Sequence, residues 1–333
     1  MKNKRILAIV LTFALLIMQF SMLTAVSAVS ALSGRSDFMK GVAIHSPVGY
    51  QEYAKQYDAV LDAEALGANL VRTGSVNDSY DKAFAAVAND RGMKVMFHKS
   101  LDIAFVEGGS VKTPGQIGYD AFQAVYDRFY SQATALKDYD SYIQIDNELD
   151  LTFKRDYGSS TTYSGYNSVD SAAIAIYLAN KAVQDANTAN GSNIKTVVNF
   201  SYQHYGFLDA LKQVYINPST YTTQSSSTGA VYADWDIIGL DYYSNMYDNA
   251  TYQSIISAVK SKFGKNIIIC EANLIATGMT GSTVNYEEDT SWLESFARYC
   301  YADSSIIGFC VYELYDEAHF ESDNQFHKPI TVL

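Results

Sequence analysis

The segment YIQIDNELDL, residues 142–151, reads as a strand that ends abruptly in polar residues. Its first half alternates with the period of two that a half-buried strand requires. Its second half turns polar at Asp146, Asn147, Glu148 and Asp150. Beyond a polar loop follows SVDSAAIAIYLANKAVQDANTANG, residues 168–191, whose apolar positions recur at helical spacing. A strand, a loop and a long helix in that order form half of a parallel βαβ unit, because antiparallel neighbours need only a tight turn.

The same alternation runs through the chain about eight times. FMKGVAIH (38–45) precedes QEYAKQYDAVLDAEALG (51–67), and ANLVRTG (68–74) precedes SYDKAFAAVANDRG (79–92), which opens on a Ser cap and closes on Gly92. MKVMFH (93–98) leads to a helix from about Gly118 to Leu136. KTVVNFSY (195–202), DWDIIGLDYY (234–243), NIIICEAN (266–273) and SIIGFCVYEL (305–314) supply the last four strands, with helices from about Ala250 to Phe263 and Glu287 to Tyr301 between the later ones. Eight such units predict a (β/α)8 TIM barrel in one domain spanning residues 37–333. A doubly wound open sheet is disfavoured, since no G-x-G-x-x-G follows the first strand and no G-x-x-x-x-G-K-[ST] occurs. After the eighth strand, YDEAHFESDNQFHKPITVL (315–333) has no amphipathic run, so the final helix is expected to be missing or replaced. NPSTYTTQSSSTGA (217–230) is expected to be a solvated loop.

Of the 333 residues 48% are hydrophobic, enough for a large core, which excludes a disordered or fibrous chain. The formal net charge of -12 excludes a nucleic-acid partner, whose phosphates call for a basic surface. Lys2, Lys4 and Arg5, an apolar run from Ile6 to Leu23 and AVSAVSA ending at Ala31 read as a signal peptide, residues 1–31, with an uncleaved anchor as the alternative. Either way the folded part is expected outside the cytoplasm, secreted or at the cell surface. Cys270, Cys300 and Cys310 allow at most one disulfide, and Cys270 and Cys310 read as small buried hydrophobes within strands.

The working face of such a barrel is the carboxyl end of its strands. The residues found there are His45, Arg72, His98, Asn147, Glu148, Asn199, Tyr202, Asp241, Tyr243, Glu271, Tyr312 and Glu313. Glu148 and Glu271 each terminate an apolar strand, where an unpaired carboxylate is costly to bury. Each could serve in a buried ion pair with Arg72. Facing one another across a cleft, they could instead cleave a glycosidic bond, one protonating the leaving oxygen while the other attacks the anomeric carbon or activates water.

With Asn147 and Glu148 ending strand four and Glu271 ending strand seven, the sequence resembles the clan of retaining (β/α)8 glycoside hydrolases that includes cellulases, mannanases, galactanases and xylosidases. Arg72 matches the clan's strand-two arginine beside the nucleophile, and GLDYYS (239–244) resembles its strand-six tyrosine motif at Tyr243. The resemblance implies Glu148 as general acid/base, Glu271 as nucleophile and Asn147 as the partner of the sugar 2-hydroxyl. Many members carry a strand-eight Trp as a sugar platform, whereas VYELYDE (311–317) offers Tyr312 and Tyr315. Arg72, His98, Tyr243, Tyr202, Tyr312, Glu313 and His45 join Asn147 as expected substrate-binding residues, with His45 and His98 read equally well as hydrogen-bonded core histidines.

No metal or other cofactor is expected: AIH ends the first strand without the H-x-H of metal-dependent barrel hydrolases. The polar loop DYGSSTTYSGYN (156–167) is expected to line the cleft with tyrosines, favouring an extended polysaccharide or oligosaccharide over a small glycoside. The sequence therefore predicts an exported retaining glycoside hydrolase. A barrel that binds carbohydrate in adhesion without cleaving it is the alternative.

Overall fold

A computed structural model of the protein describes residues 35–44, 53–108, 110–112, 116–152, 169–201, 205–243, 248–273 and 286–312. Eight strands close a barrel: β1 Met39–Ala43, β2 Leu70–Gly74, β3 Lys94–Lys99, β4 Ser141–Ile145, β5 Lys195–Phe200, β6 Ile237–Tyr243, β7 Asn266–Asn273 and β8 Ile306–Tyr312. Every neighbouring pair is parallel, and β8 closes on β1 with Gly308 opposite Met39. The open-sheet alternative is thereby excluded. Among the described residues a main helix follows each of the first seven strands: α1 Tyr53–Ala65, α2 Asp78–Asp90, α3 Tyr119–Ala135, α4 Val169–Asn190, α5 Tyr205–Leu211, α6 Asn249–Phe263 and α7 Tyr286–Ala302, with single helical turns at Asp102–Phe105 and Leu149–Thr152 after the third and fourth strands. The expected signal peptide and the question of an eighth helix lie outside the described residues. Among those described, no helix is long and apolar enough to cross a membrane.

Strand alternation divides the apolar residues into two cores. Met39, Leu70, Met96, Val197, Ile237, Ile268, Cys270 and Cys310 fill the barrel interior. Val71, Val95, Phe97, Ile143, Val198, Phe200, Ile238 and Ile267 face outward to the helices. Each fully buried aliphatic or aromatic side chain contributes about 1.5–3 kcal/mol, so both cores matter to stability. The alanines of α4, Ala172, Ala175, Ala179, Ala182 and Ala186, let it lie close against α3. All three cysteines are free and buried, as small hydrophobes are, and burial pushes the Cys310 thiol up to about 12.

Local signals set the helix ends. α2 is capped by Asn77, whose extended backbone (φ -159°) lets its side chain accept the Tyr80 N–H at 3.0 Å. Ser79, expected as the cap, lies inside the first turn instead, because Asp78 and Asp81 extend the helix toward its positive end. α6 starts at the Asp248 cap and ends at Gly264, whose φ of 60° suits glycine, with Lys260 and Lys262 in the last turn. α5 was not expected from the sequence: seven residues are less than two turns, yet Phe207, Leu208 and Leu211 are buried and hold it. The 217–230 stretch is largely exposed, as a solvated loop should be, but Ile216–Asn217 and Thr222–Thr223 form a short ladder anchored by buried Ile216.

At the β8–β1 seam, Arg35 Nη1 donates to the carbonyl oxygens of Tyr301, Asp303 and Ile306, each at 3.1 Å. The guanidinium also lies 5.2 Å from the Phe38 ring centroid. Phe38 meets Tyr301 edge to face at 5.3 Å. The segment before β1 thus binds the carbonyls that close α7 and open β8, tying the first strand to the last.

Candidate active site

Arg72, near the carboxyl end of β2, is the centre of the strand-end polar group. Its side chain is about 5% exposed and that of Glu271 about 8%, and they form an ion pair at 2.7 Å through Nη1 and Oε1. Nε donates to Gln144 Oε1 at 2.8 Å and Nη2 to Asn147 Oδ1 at 2.6 Å. The rigid fork of the guanidinium thus fixes groups from β4 and β7 at once. Burial opposes the charge on Arg72, but the carboxylate of Glu271 holds its pKa above the ordinary arginine value.

Glu271 reaches this position through an irregularity in β7. Ile268 and Cys270 both point into the barrel, so strict alternation would turn Glu271 outward to the helices. The register slips instead: Leu240 pairs with Ile269, and the next residue, Asp241, pairs with Glu271. Such bulges re-aim a side chain, and here two consecutive residues face inward. Glu271 Oε2 then accepts the Tyr243 hydroxyl. Burial and the charge of Glu271 raise the Tyr243 pKa far above the ordinary phenol value, so this hydroxyl stays a donor.

The chain leaves β4 by two left-handed turns, at Asp146 (φ 58°) and Glu148 (φ 43°). Residues other than glycine pay about 1–3 kcal/mol for such backbone, which therefore needs surrounding bonds to hold it. Asp146 is buried and accepts the N–H of Asn147 at 2.8 Å and of Leu101 at 3.3 Å. Burial pushes its carboxyl up to about 7, which these backbone bonds only partly offset. Asn199, at the end of β5, accepts the Glu148 N–H at 2.7 Å. Asp150 is fully buried in the single helical turn Leu149–Thr152 and accepts both the N–H and the hydroxyl of Ser201 at 2.6 Å. The turn is thereby tied to β5, and Asn147 and Glu148 stay half-buried at the rim.

Asn147 Oδ1 receives three donors: Arg72 Nη2, Gln144 Nε2 at 3.0 Å and Asn199 Nδ2 at 3.3 Å. These bonds fix the orientation of the amide. Asp241 is fully buried, accepts Asn199 Nδ2 at 2.8 Å and sits in register with Glu271. Burial, reinforced by the charge of Glu271, raises its pKa well above the ordinary aspartate value.

Of the expected site residues, Arg72, Asn147, Tyr243 and Glu271 are joined by direct hydrogen bonds, and Glu148 joins them through Asn199. His98 is half-buried on β3, in register with Gly74 and Gln144, on the same mouth. Tyr312 packs edge to face on Tyr243 at 6.2 Å. His45, Tyr202, Glu313 and the 156–167 loop lie outside the described residues. Gln144 was not singled out from sequence, because a glutamine inside an alternating strand carries no motif. Asn199 and Asp241 were visible only as polar strand ends without a role. Among the described residues, no group of three His, Cys, Asp or Glu side chains is placed to hold a metal ion.

No protein-family model matches the sequence, and no curated protein matches it. Solved structures match over most of its length. The virulence factor SghA from Agrobacterium tumefaciens aligns with a TM-score of 0.57 at 12% identity, over 87% of this chain and 90% of that one. β-Glucosidase 2 from the fungus Trichoderma reesei aligns at 0.57 and 13%, over 84% and 90%. PbGH5A, a glycoside hydrolase family 5 enzyme from Prevotella bryantii B14, aligns at 0.53 and 16%, over 92% and 95%. At such identities the likeness is one of fold.

Proposed function

We propose that this chain is an exported retaining glycoside hydrolase that cleaves O-glycosidic bonds in an extracellular or cell-surface polysaccharide. The observation that carries the reading is the environment of Glu271: a strand-end carboxylate held by Arg72 and the Tyr243 hydroxyl, with Glu148 presented from β4 by a turn pinned to Asn199. Two donors on Glu271 hold its carboxylate in one orientation, as an attacking nucleophile requires. The barrel fold shared with a β-glucosidase and a family 5 glycoside hydrolase supports the same class.

In the proposed reaction a Glu271 oxygen attacks the anomeric carbon while the bond to the leaving oxygen breaks, and Glu148 gives its proton to that oxygen. Once Glu271 is esterified its charge is gone, and Glu148, now ionised, takes a proton from the water that releases the sugar. Asn147, whose amide oxygen is occupied by Arg72, Gln144 and Asn199, offers its nitrogen end to the sugar 2-hydroxyl. Tyr312 beside Tyr243 serves as the aromatic surface for the ring that many barrels of this type take from Trp.

Reducing-sugar release from a panel of β-glucan, mannan, galactan and xylan tests the activity, and ¹H NMR of the first-formed anomer tests retention. Glu271→Ala and Glu148→Ala are each expected to lower turnover by about 10³-fold or more with the fold intact, and azide to rescue the Glu271 variant as a glycosyl azide. Binding to a polysaccharide with no release by the wild type would instead identify a carbohydrate-binding barrel.

A further inference from the structure

We infer that Asp241 is a positioning residue for Glu148, acting through the side-chain amide of Asn199; the inference rests on the acid/base role proposed for Glu148. Asp241 does not touch Glu148 by any hydrogen bond of the described residues. Its Oδ2 accepts Asn199 Nδ2 at 2.8 Å, and its Oδ1 is buried with no hydrogen-bond partner among the described residues. Asn199 Oδ1 in turn accepts the Glu148 N–H at 2.7 Å.

A primary amide fits its density of neighbours in two orientations that differ by a flip, and the partners decide between them. In the orientation present, nitrogen faces two acceptors, Asp241 Oδ2 and Asn147 Oδ1 at 3.3 Å, and oxygen faces one donor, the Glu148 N–H. Flipped, the amide would set N–H against N–H and oxygen against oxygen. Asp241 offers the shorter of the two acceptor contacts and so is the main selector of the orientation that receives Glu148. That reception matters because Glu148 has a φ of 43°, a conformation a glutamate adopts only when its surroundings hold it there. A Glu148 backbone released from Asn199 would relax, and its carboxyl would no longer meet a leaving oxygen at proton-transfer distance.

Two further features fit this role. Gly239, two residues before Asp241 on the same inward face, leaves room for Asn199: a Cβ there would stand 2.5 Å from Asn199 Cβ. The link needs a single carbonyl-type acceptor from Asp241, the oxygen Oδ2 that Asn199 Nδ2 meets at 2.8 Å. Asparagine offers that same carbonyl oxygen in the same shape, and alanine does not.

The test is kcat/KM for Asp241→Ala, Asp241→Asn, Asn199→Ala and Glu148→Gln on the 2,4-dinitrophenyl and phenyl β-glycosides of the sugar that the wild type releases. The dinitrophenolate leaves without a proton, so only the phenyl glycoside reports the general acid. Asp241→Ala and Asn199→Ala are expected to lower kcat/KM on the phenyl glycoside by about 10²-fold and on the dinitrophenyl glycoside by less than about 10-fold, the pattern of Glu148→Gln in milder form. Asp241→Asn is expected to recover most of the loss. Equal losses on both glycosides, no loss, or an Asp241→Asn as impaired as Asp241→Ala would overturn the inference. If Asp241→Ala does not fold, Asn199→Ala reads the same link from its other end. Should Glu148→Gln itself show no difference between the glycosides, the acid/base assignment fails and the inference with it; if only the Asp241 and Asn199 variants show none, the inference alone fails.

Discussion

Arg72 and Glu271, 199 residues apart in sequence, meet as a buried ion pair at 2.7 Å inside the barrel mouth. Removing one member of such a pair leaves the other charge uncompensated, which costs about 3–5 kcal/mol. Arg72→Ala is therefore expected to lower stability by that amount in urea denaturation. It is also expected to lower kcat/KM by about 10²–10³-fold, since Glu271 loses the donor that holds its carboxylate in place. Arg72→Lys, a point charge without the fork, should restore part of the stability but not the contacts to Gln144 and Asn147.

Tyr243→Phe isolates the second donor on Glu271. The Tyr243 ring keeps its edge-to-face contact with Tyr312 while the hydroxyl is lost. A hydrogen bond to a charged group is worth about 1.5–3 kcal/mol, so kcat/KM should fall about 10–100-fold. Burial and the charge of Glu271 keep this phenol protonated well above its ordinary range. The alkaline limb of the wild-type profile should accordingly not belong to Tyr243 and should persist in Tyr243→Phe. An alkaline limb that vanishes in the variant would contradict that account.

The barrel itself was legible because eight apolar runs carry their own period and each is followed by a helix or a loop too long for a hairpin. The position of Glu271 was legible only as a strand end. Its inward direction was not, since alternation gives Cys270 the barrel interior, and the bulge that turns both residues inward arises from pairing between β6 and β7. Asn199 and Asp241 were hidden for a related reason: their roles lie in contacts between strands, and nothing local marks one polar strand end as an orienting group. The cap of α2 was misread by two residues because Asn, Asp and Ser stand together at 77–79 and only the backbone geometry distinguishes them.

Asp146 gives the protein a pH dependence of stability with a defined sign. Its carboxyl is pushed up to about 7 in the folded chain, from an ordinary value of 3.8, chiefly by burial. A raised folded pKa means that the native state holds the proton more tightly than the unfolded chain. The stabilisation is thus complete below about pH 4 and is lost as the pH rises through about 7. Asp146→Asn, which cannot ionise, should flatten the decline in Tm between about pH 4 and 7. A variant whose Tm falls with pH as steeply as the wild type would place the titrating group elsewhere.

Gly239→Ala tests the packing beneath the proposed site without removing any hydrogen-bonding group. The added methyl would come within 2.5 Å of Asn199 Cβ and 2.7 Å of Cys270 Sγ, where β5 and β7 flank β6. Neither neighbour can move freely: Asn199 Cβ is rooted in the strand and Cys270 is fully buried. Overpacking of this kind costs about 1–3 kcal/mol, so the midpoint of thermal unfolding should drop. Because the displaced side chain is the amide that holds the Glu148 N–H, activity should fall as well, and more on poor leaving groups than on activated ones. A variant that loses stability while keeping wild-type kcat/KM on both kinds of leaving group would separate the packing of Asn199 from the chemistry of Glu148.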